Sequence, residues 1–162
     1  MPKPFHGTCL CGEVGFEVNG DPITVSTCHC LNCRKYTGTA FTTNVVFPSG
    51  SAKITNGQPF VSTYYDGAQD SKNPLTRIFC SRCSSPLYNL GGNSGKTCAV
   101  FYSALDDFDI LADPHESEQG TGQRETVKKD VVPSVEYYTK DRISWVAPVP
   151  GAEQAKTKPG RD

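Results

Sequence analysis

The chain has 162 residues, which suits one domain with a single core, and its 16 Lys and Arg against 17 Asp and Glu leave a formal net charge of −1. That balance offers no basic stripe for nucleic acid, and no run approaches the roughly 18 apolar residues of a membrane helix. The opening stretch MPKPFHGTCLCGEV lacks the apolar segment of a secretory signal, so the expected compartment is the cytoplasm, where thiols stay reduced.

With 15 Gly and 12 Pro, short β-type runs between turns dominate. EVGFEVNGDP (13–22) sets Val14, Phe16 and Val18 on one face and stops at Asn19-Gly20. LNCRKYTG (31–38) has room for one or two helical turns. AFTTNVVFPSG (40–50) is a second strand candidate, ended by Pro48 and Gly50. FVSTYYDG (60–67) and TRIFCSRCSSPLYNLGG (76–92) follow, with turns at Asp66-Gly67 and Gly91-Gly92. TCAVFYSALDDF (97–108) and SVEYYTKDRISWVAP (134–148) complete the strands, and Trp145 in the latter is expected in the core. Strands between turn clusters, with no long 3.6-residue period, predict an all-β single domain over residues 1–150. Residues 113–130 lack any apolar period and predict an inserted mobile loop. The polar tail 151–162 is expected to be disordered.

Seven of the eight cysteines are clustered: Cys9 and Cys11; Cys28, Cys30 and Cys33; Cys80 and Cys83. In a reducing compartment such clusters favour a metal over a disulfide framework, because neighbouring soft thiolates pre-order a chelate. C-x-x-C alone also suits a redox pair; alongside C-x-C and C-x-C-x-x-C the metal reading is the stronger. Four ligands close a structural tetrahedral site, and Cys9, Cys11, Cys80 and Cys83 make such a set. Cys28, Cys30 and Cys33 leave a fourth position open, the pattern of a catalytic zinc. In an extended segment His29 faces away from Cys28 and Cys30, which argues against it as the fourth ligand. Cys98, alone in TCAVFY, reads as a small buried hydrophobe.

The stretches GTCLCGEVGFEV, CHCLNCRKYTGTAF and FCSRCSSPLY, with DRISWV near the end, resemble the glutathione-dependent formaldehyde-activating enzyme family, which includes centromere protein V. The resemblance runs from about Gly7 to Trp145. It implies a β-tent of small antiparallel sheets around zinc, with a structural zinc on Cys9, Cys11, Cys80 and Cys83 and an active-site zinc on Cys28, Cys30 and Cys33. One departure is Ser84, where family members commonly carry Gly after the C-x-x-C; a left-handed turn there costs a serine more than a glycine.

Three thiolates more than cancel the charge of a zinc ion, so such a site suits thiolate exchange better than water activation. The resemblance implies a carbon–sulfur lyase acting on the glutathione–formaldehyde adduct, with glutathione as co-substrate. Arg34 and Lys35 are candidates for a substrate carboxylate, and Tyr36 and His29 for proton transfer. Arg142 is expected to bridge Asp141 or Asp106 at the surface. Two other classes fit the same residues: an enzyme using this zinc on another small molecule without glutathione, and a non-catalytic zinc-binding interaction module. No nucleic-acid or membrane partner is expected.

Overall fold

The computed structural model describes residues 3–107 and 132–158. The expected loop 113–130 lies outside them. The elements in chain order are β1 (Phe5–Thr8), β2 (Gly15–Val18), β3 (Thr24–Cys28), α1 (Leu31–Thr37), β4 (Thr42–Pro48), β5 (Ala52–Asn56), β6 (Val61–Asp66), β7 (Leu75–Cys80), β8 (Pro86–Gly91), β9 (Thr97–Phe101), β10 (Val135–Tyr137) and β11 (Glu153–Gln154). The protein is mostly β, as expected. Strands β1-β2-β5 form a three-stranded antiparallel sheet, and a second sheet runs β11-β10-β3-β4-β9-β8-β7-β6. That second sheet is antiparallel except where β10 pairs in parallel with β3 and with β11.

The alternation read from β2 is what joins the two sheets. Phe16 and Val18, with Val14 just before the strand, are buried and pack into one cluster with Val45, Phe47, Leu87 and Val100 of the larger sheet. Phe16 and Tyr88 meet with ring centroids 5.5 Å apart. Each such side chain contributes about 1.5–3 kcal/mol by burial, so Phe47→Ala would cost about 3–5 kcal/mol. Cys98 is fully buried in this cluster, as its alternating strand suggested.

Helix α1 is short because its end is set chemically. Gly38 takes a left-handed φ of 68° and its N–H returns to the Arg34 carbonyl at 2.8 Å, a glycine stop that a side chain would strain. No described helix is long and apolar enough to cross a membrane.

Two expectations near the C-terminal end need correction. Trp145 is 74% exposed, because it follows the 3-10 turn Thr139–Asp141 in an irregular stretch that no sheet face receives. The expected disorder from residue 151 does not extend to Glu153–Gln154, which form β11 on β10, flanked by Ala155 N–H on the Glu136 carbonyl at 2.9 Å.

Candidate functional site

The cysteines assemble as two groups whose sulfurs all lie within 4.8 Å of one another: Cys9, Cys11, Cys80 and Cys83, and separately Cys28, Cys30 and Cys33. In the first group, Cys11 Sγ lies 3.5 Å from Cys9 Sγ and 3.9 Å from Cys80 Sγ. Zinc–sulfur bonds of about 2.3 Å at tetrahedral angles put sulfurs about 3.8 Å apart, so the donors fit such an ion. The backbone is already turned toward the sulfurs, with Val14 N–H directed at Cys9 Sγ at 3.2 Å. Ser85 ties the two halves together: its hydroxyl accepts from Leu10 N–H at 2.9 Å and lies 3.1 Å from Cys83 Sγ. Burial raises the Cys83 thiol, but hydrogen bonds from Ser85 outweigh it and bring the group down to about 5. Ser84 has φ of 62°, the left-handed conformation that its position after the C-x-x-C implied, and its N–H bonds the Cys80 carbonyl at 2.8 Å.

The second group is built around the start of α1. Cys28 ends β3, Cys30 caps the helix with its sulfur accepting Cys33 N–H at 3.3 Å, and Cys33 lies one turn in. Cys30, Cys33 and Tyr138 form a small buried cluster with Tyr137 and Cys28 packed on it. These sulfurs share protons unequally. Hydrogen bonds from Cys28 and Cys30, together with the Arg77 guanidinium, hold Cys33 well below the usual thiol range, while Cys28 is pushed up by the neighbouring sulfurs and by burial.

Arg77 is the main feature that spacing did not reveal. It is 1% exposed, its Nη2 lies 2.7 Å from Asp66 Oδ2, and its Nη1 donates to Asn89 Oδ1 at 3.4 Å. Its guanidinium carbon stands 4.6 Å from the centre of the Tyr36 ring. Burial opposes its charge, but Cys33 and Asp66 outweigh that and raise its pKa further. A fixed cation behind the three sulfurs offsets part of their accumulated negative charge.

His29 faces away from the sulfurs, as the strand geometry implied. It is fully buried, and its Nε2 meets Glu136 Oε1 at 2.8 Å. Glu136 also accepts from Val149 N–H at 2.8 Å and Gln154 Nε2 at 2.6 Å, and Arg142 Nη2 lies 3.2 Å from it. Arg142 therefore serves Glu136 rather than Asp141 or Asp106, because β10 brings that buried carboxylate within its reach. Tyr36 packs against Arg77, burial raises its phenol to about 12, and its hydroxyl has no partner. Arg34 donates from Nη1 to the Asp141 carbonyl at 3.0 Å.

A cleft of about 250 Å³ opens beside the second group, with Cys28, Cys30 and Cys33 in its lining and Tyr137 and Tyr138 along one side. Arg34, Tyr36 and His29 are not among the described residues that line it.

Residues 4–141 match the family model of the glutathione-dependent formaldehyde-activating enzyme. A Halomonas elongata protein described as "Putative glutathione-dependent formaldehyde-activating enzyme" is 30% identical over 102 residues, 62% of this chain and 65% of that protein. The chain thus spans just under two thirds of that relative. A solved structure of a Rhodobacter sphaeroides protein is similar in fold, with a TM-score of 0.51 at 17% identity, over 70% of this chain and 95% of that one. The chain belongs to the glutathione-dependent formaldehyde-activating enzyme family.

Proposed function

We propose that this protein is a zinc-dependent carbon–sulfur lyase that joins and separates a thiol and an aldehyde, with glutathione and formaldehyde as the reference pair. The observation that carries the reading is the three-sulfur group in the cleft lining, for which the described residues offer no fourth ligand. The other group, with four sulfurs, is complete as a structural centre. A zinc ion on Cys28, Cys30 and Cys33 would supply a position where a substrate thiol binds as its thiolate.

The surrounding residues support that chemistry. The α1 cap and the N–H directed at Cys30 hold the sulfurs in place before any ion arrives. Arg77, anchored by Asp66, supplies positive charge on the protein side of Cys33, so the cleft side stays tolerant of an incoming anion. Tyr137 and Tyr138 line the same cleft. The reading includes a reducing, cytoplasmic setting, since the clustered cysteines are needed reduced rather than paired in disulfides.

The test is exchange between free and adduct-bound formaldehyde at equilibrium, because the uncatalysed addition is itself fast. The zinc-loaded protein is expected to speed exchange above the spontaneous rate, and Cys33→Ser is expected not to. Equal exchange in both proteins, with zinc confirmed in the wild type, would overturn the lyase reading. A second reading, the same zinc acting on a smaller molecule without glutathione, is favoured by the cleft volume of about 250 Å³, which is under the usual ligand-pocket range of about 300–1,000 Å³. Acceleration with small thiols but not with glutathione would select it.

A further inference from the structure

Asn44 breaks the pattern of its strand. β4 runs TTNVVFP between β3 and β9, and an interior strand favours β-branched and aromatic residues over asparagine. Asn44 is nevertheless only 6% exposed. Its Nδ2 donates to Thr42 Oγ1 at 3.1 Å, while its Oδ1 is buried and meets no donor among the described residues. A buried acceptor left unpaired costs about 1–3 kcal/mol, and such departures from local rules are expected at functional positions.

The sheet register puts this side chain beside the three sulfurs. Cys28 stands opposite Thr42, and Ser26 opposite Asn44. Residues two apart on a strand share a face, so these four form one patch, in keeping with the Asn44–Thr42 hydrogen bond. Cys28, Ser26 and Asn44 all line the cleft. Cys28 and Asn44 are diagonal cross-strand neighbours, a relationship that sets residues about 7–8 Å apart. That is the span of a small ligand and too far for direct contact. Asn89, the other buried asparagine of the lining, differs, because its Oδ1 already accepts from Arg77 Nη1 at 3.4 Å.

We propose that Asn44 is a ligand-positioning residue whose Oδ1 accepts the O–H of a hydroxyl. That hydroxyl sits one or two carbons from the sulfur of a thiol compound bound at the three-cysteine group. The inference rests on reading the cleft as the substrate site, since a thiol–aldehyde adduct is such a compound. An amide oxygen takes up no proton at neutral pH, so Asn44 orients the hydroxyl and does not deprotonate it. The contact requires neither a peptide nor a carboxylate in the ligand. An ether oxygen at the same place leaves Oδ1 unpaired, and a site built to bond a hydroxyl rejects analogues that lack it.

The test compares 2-mercaptoethanol with 2-methoxyethanethiol, two thiols of similar reach of which only the first has an O–H to give. Each is titrated by calorimetry into the zinc-loaded full chain. Wild type is expected to bind 2-mercaptoethanol about tenfold more tightly, as one hydrogen bond to a buried acceptor implies. In Asn44→Ala, with zinc content and unfolding midpoint measured alongside, that preference is expected to vanish. Asn44→Asp keeps an acceptor oxygen and is expected to keep the preference, although its charge weakens both thiolates alike. A merely structural role would weaken both thiols equally and leave their ratio unchanged. Equal binding of the two by wild type, or a preference that survives Asn44→Ala, overturns the proposal. The wild-type comparison decides alone if Asn44→Ala does not fold. Binding of neither thiol overturns this proposal and the thiolate reading together, whereas binding of both alike rejects only the role of Asn44.

Discussion

His29 Nε2 and Glu136 Oε1 meet at 2.8 Å across 107 residues of sequence, with both side chains essentially out of solvent. The contact fastens the segment between Cys28 and Cys30 to β10. It leaves the His29 Nδ1 atom buried without a partner.

Glu136→Gln is expected to cost about 3–5 kcal/mol at neutral pH, as removal of one partner of a buried charged pair does. Burial alone would raise this carboxyl, but hydrogen bonds from Gln154, His29 and Val149 and the charge of Arg142 bring it from 4.5 to about 2. A depressed folded value contributes stability that is complete above 4.5 and is lost as pH falls toward 2. The gap between wild type and variant, measured by urea unfolding, is therefore expected to narrow across that window. A gap constant with pH would show that the carboxylate charge is not what the site uses.

Arg77→Met is expected to destabilise by about 3–5 kcal/mol, because the buried Asp66 would lose its countercharge and keep only the hydrogen bonds from Asn32 and Gln69. Adding Asp66→Asn should recover part of that loss. The double variant is also the cleaner probe of the metal centre: with the positive charge behind Cys33 gone, a competing chelator should strip the three-cysteine site sooner than in wild type. Equal chelator resistance would restrict Arg77 to a structural role.

Elemental analysis of carefully purified protein should give two zinc ions per chain. Cys80→Ser is expected to unfold or aggregate the domain, because a closed zinc centre contributes folding free energy directly. Cys33→Ser should stay folded and retain about one zinc. A single zinc in wild type would refute the division into two centres.

Cys98→Ala should keep both metals and nearly all stability. Its thiol is fully buried in the apolar cluster, where burial pushes it up to about 12. Loss of a zinc in this variant would mean that the four-cysteine set has been drawn wrongly.

Ser84 offers a conformational test. Its φ of 62° costs an L-residue about 1–2 kcal/mol, offset in a glycine by about 0.5–1 kcal/mol of unfolded-chain entropy. The order of denaturant midpoints should be Ser84→Gly at or above wild type, and Ser84→Val clearly below both. A valine variant as stable as wild type would show that the turn relaxes.

The two cysteine groups were legible because each cluster is close in sequence, and ligand counting does the rest. The strands with clear alternation, such as β2, or with apolar runs between turns, such as β4 and β9, were legible too. Strands β1, β3 and β5 were not: FHGT, TVSTC and AKITN are short and mixed, and sheet neighbours rather than their own pattern hold them extended. Arg77 and Glu136 were invisible for a related reason. A lone charged residue in a strand is normally read as surface, and only long-range pairing places it behind Cys33 or against His29. Trp145 misled because bulk suggests a core, whereas the chain there has already left the sheets.

The parallel seat of β10 between β3 and β11 separates two duties along the chain. All seven clustered cysteines lie before residue 84, whereas Tyr137, Tyr138 and Lys158, which face the cleft, arrive with the segment after residue 131. That wall of the cleft can thus change in evolution while the cysteine clusters stay untouched. A graft of residues 132–158 from a relative onto this chain, keeping Glu136 and its partners, would carry a new cleft wall to an unaltered pair of cysteine groups.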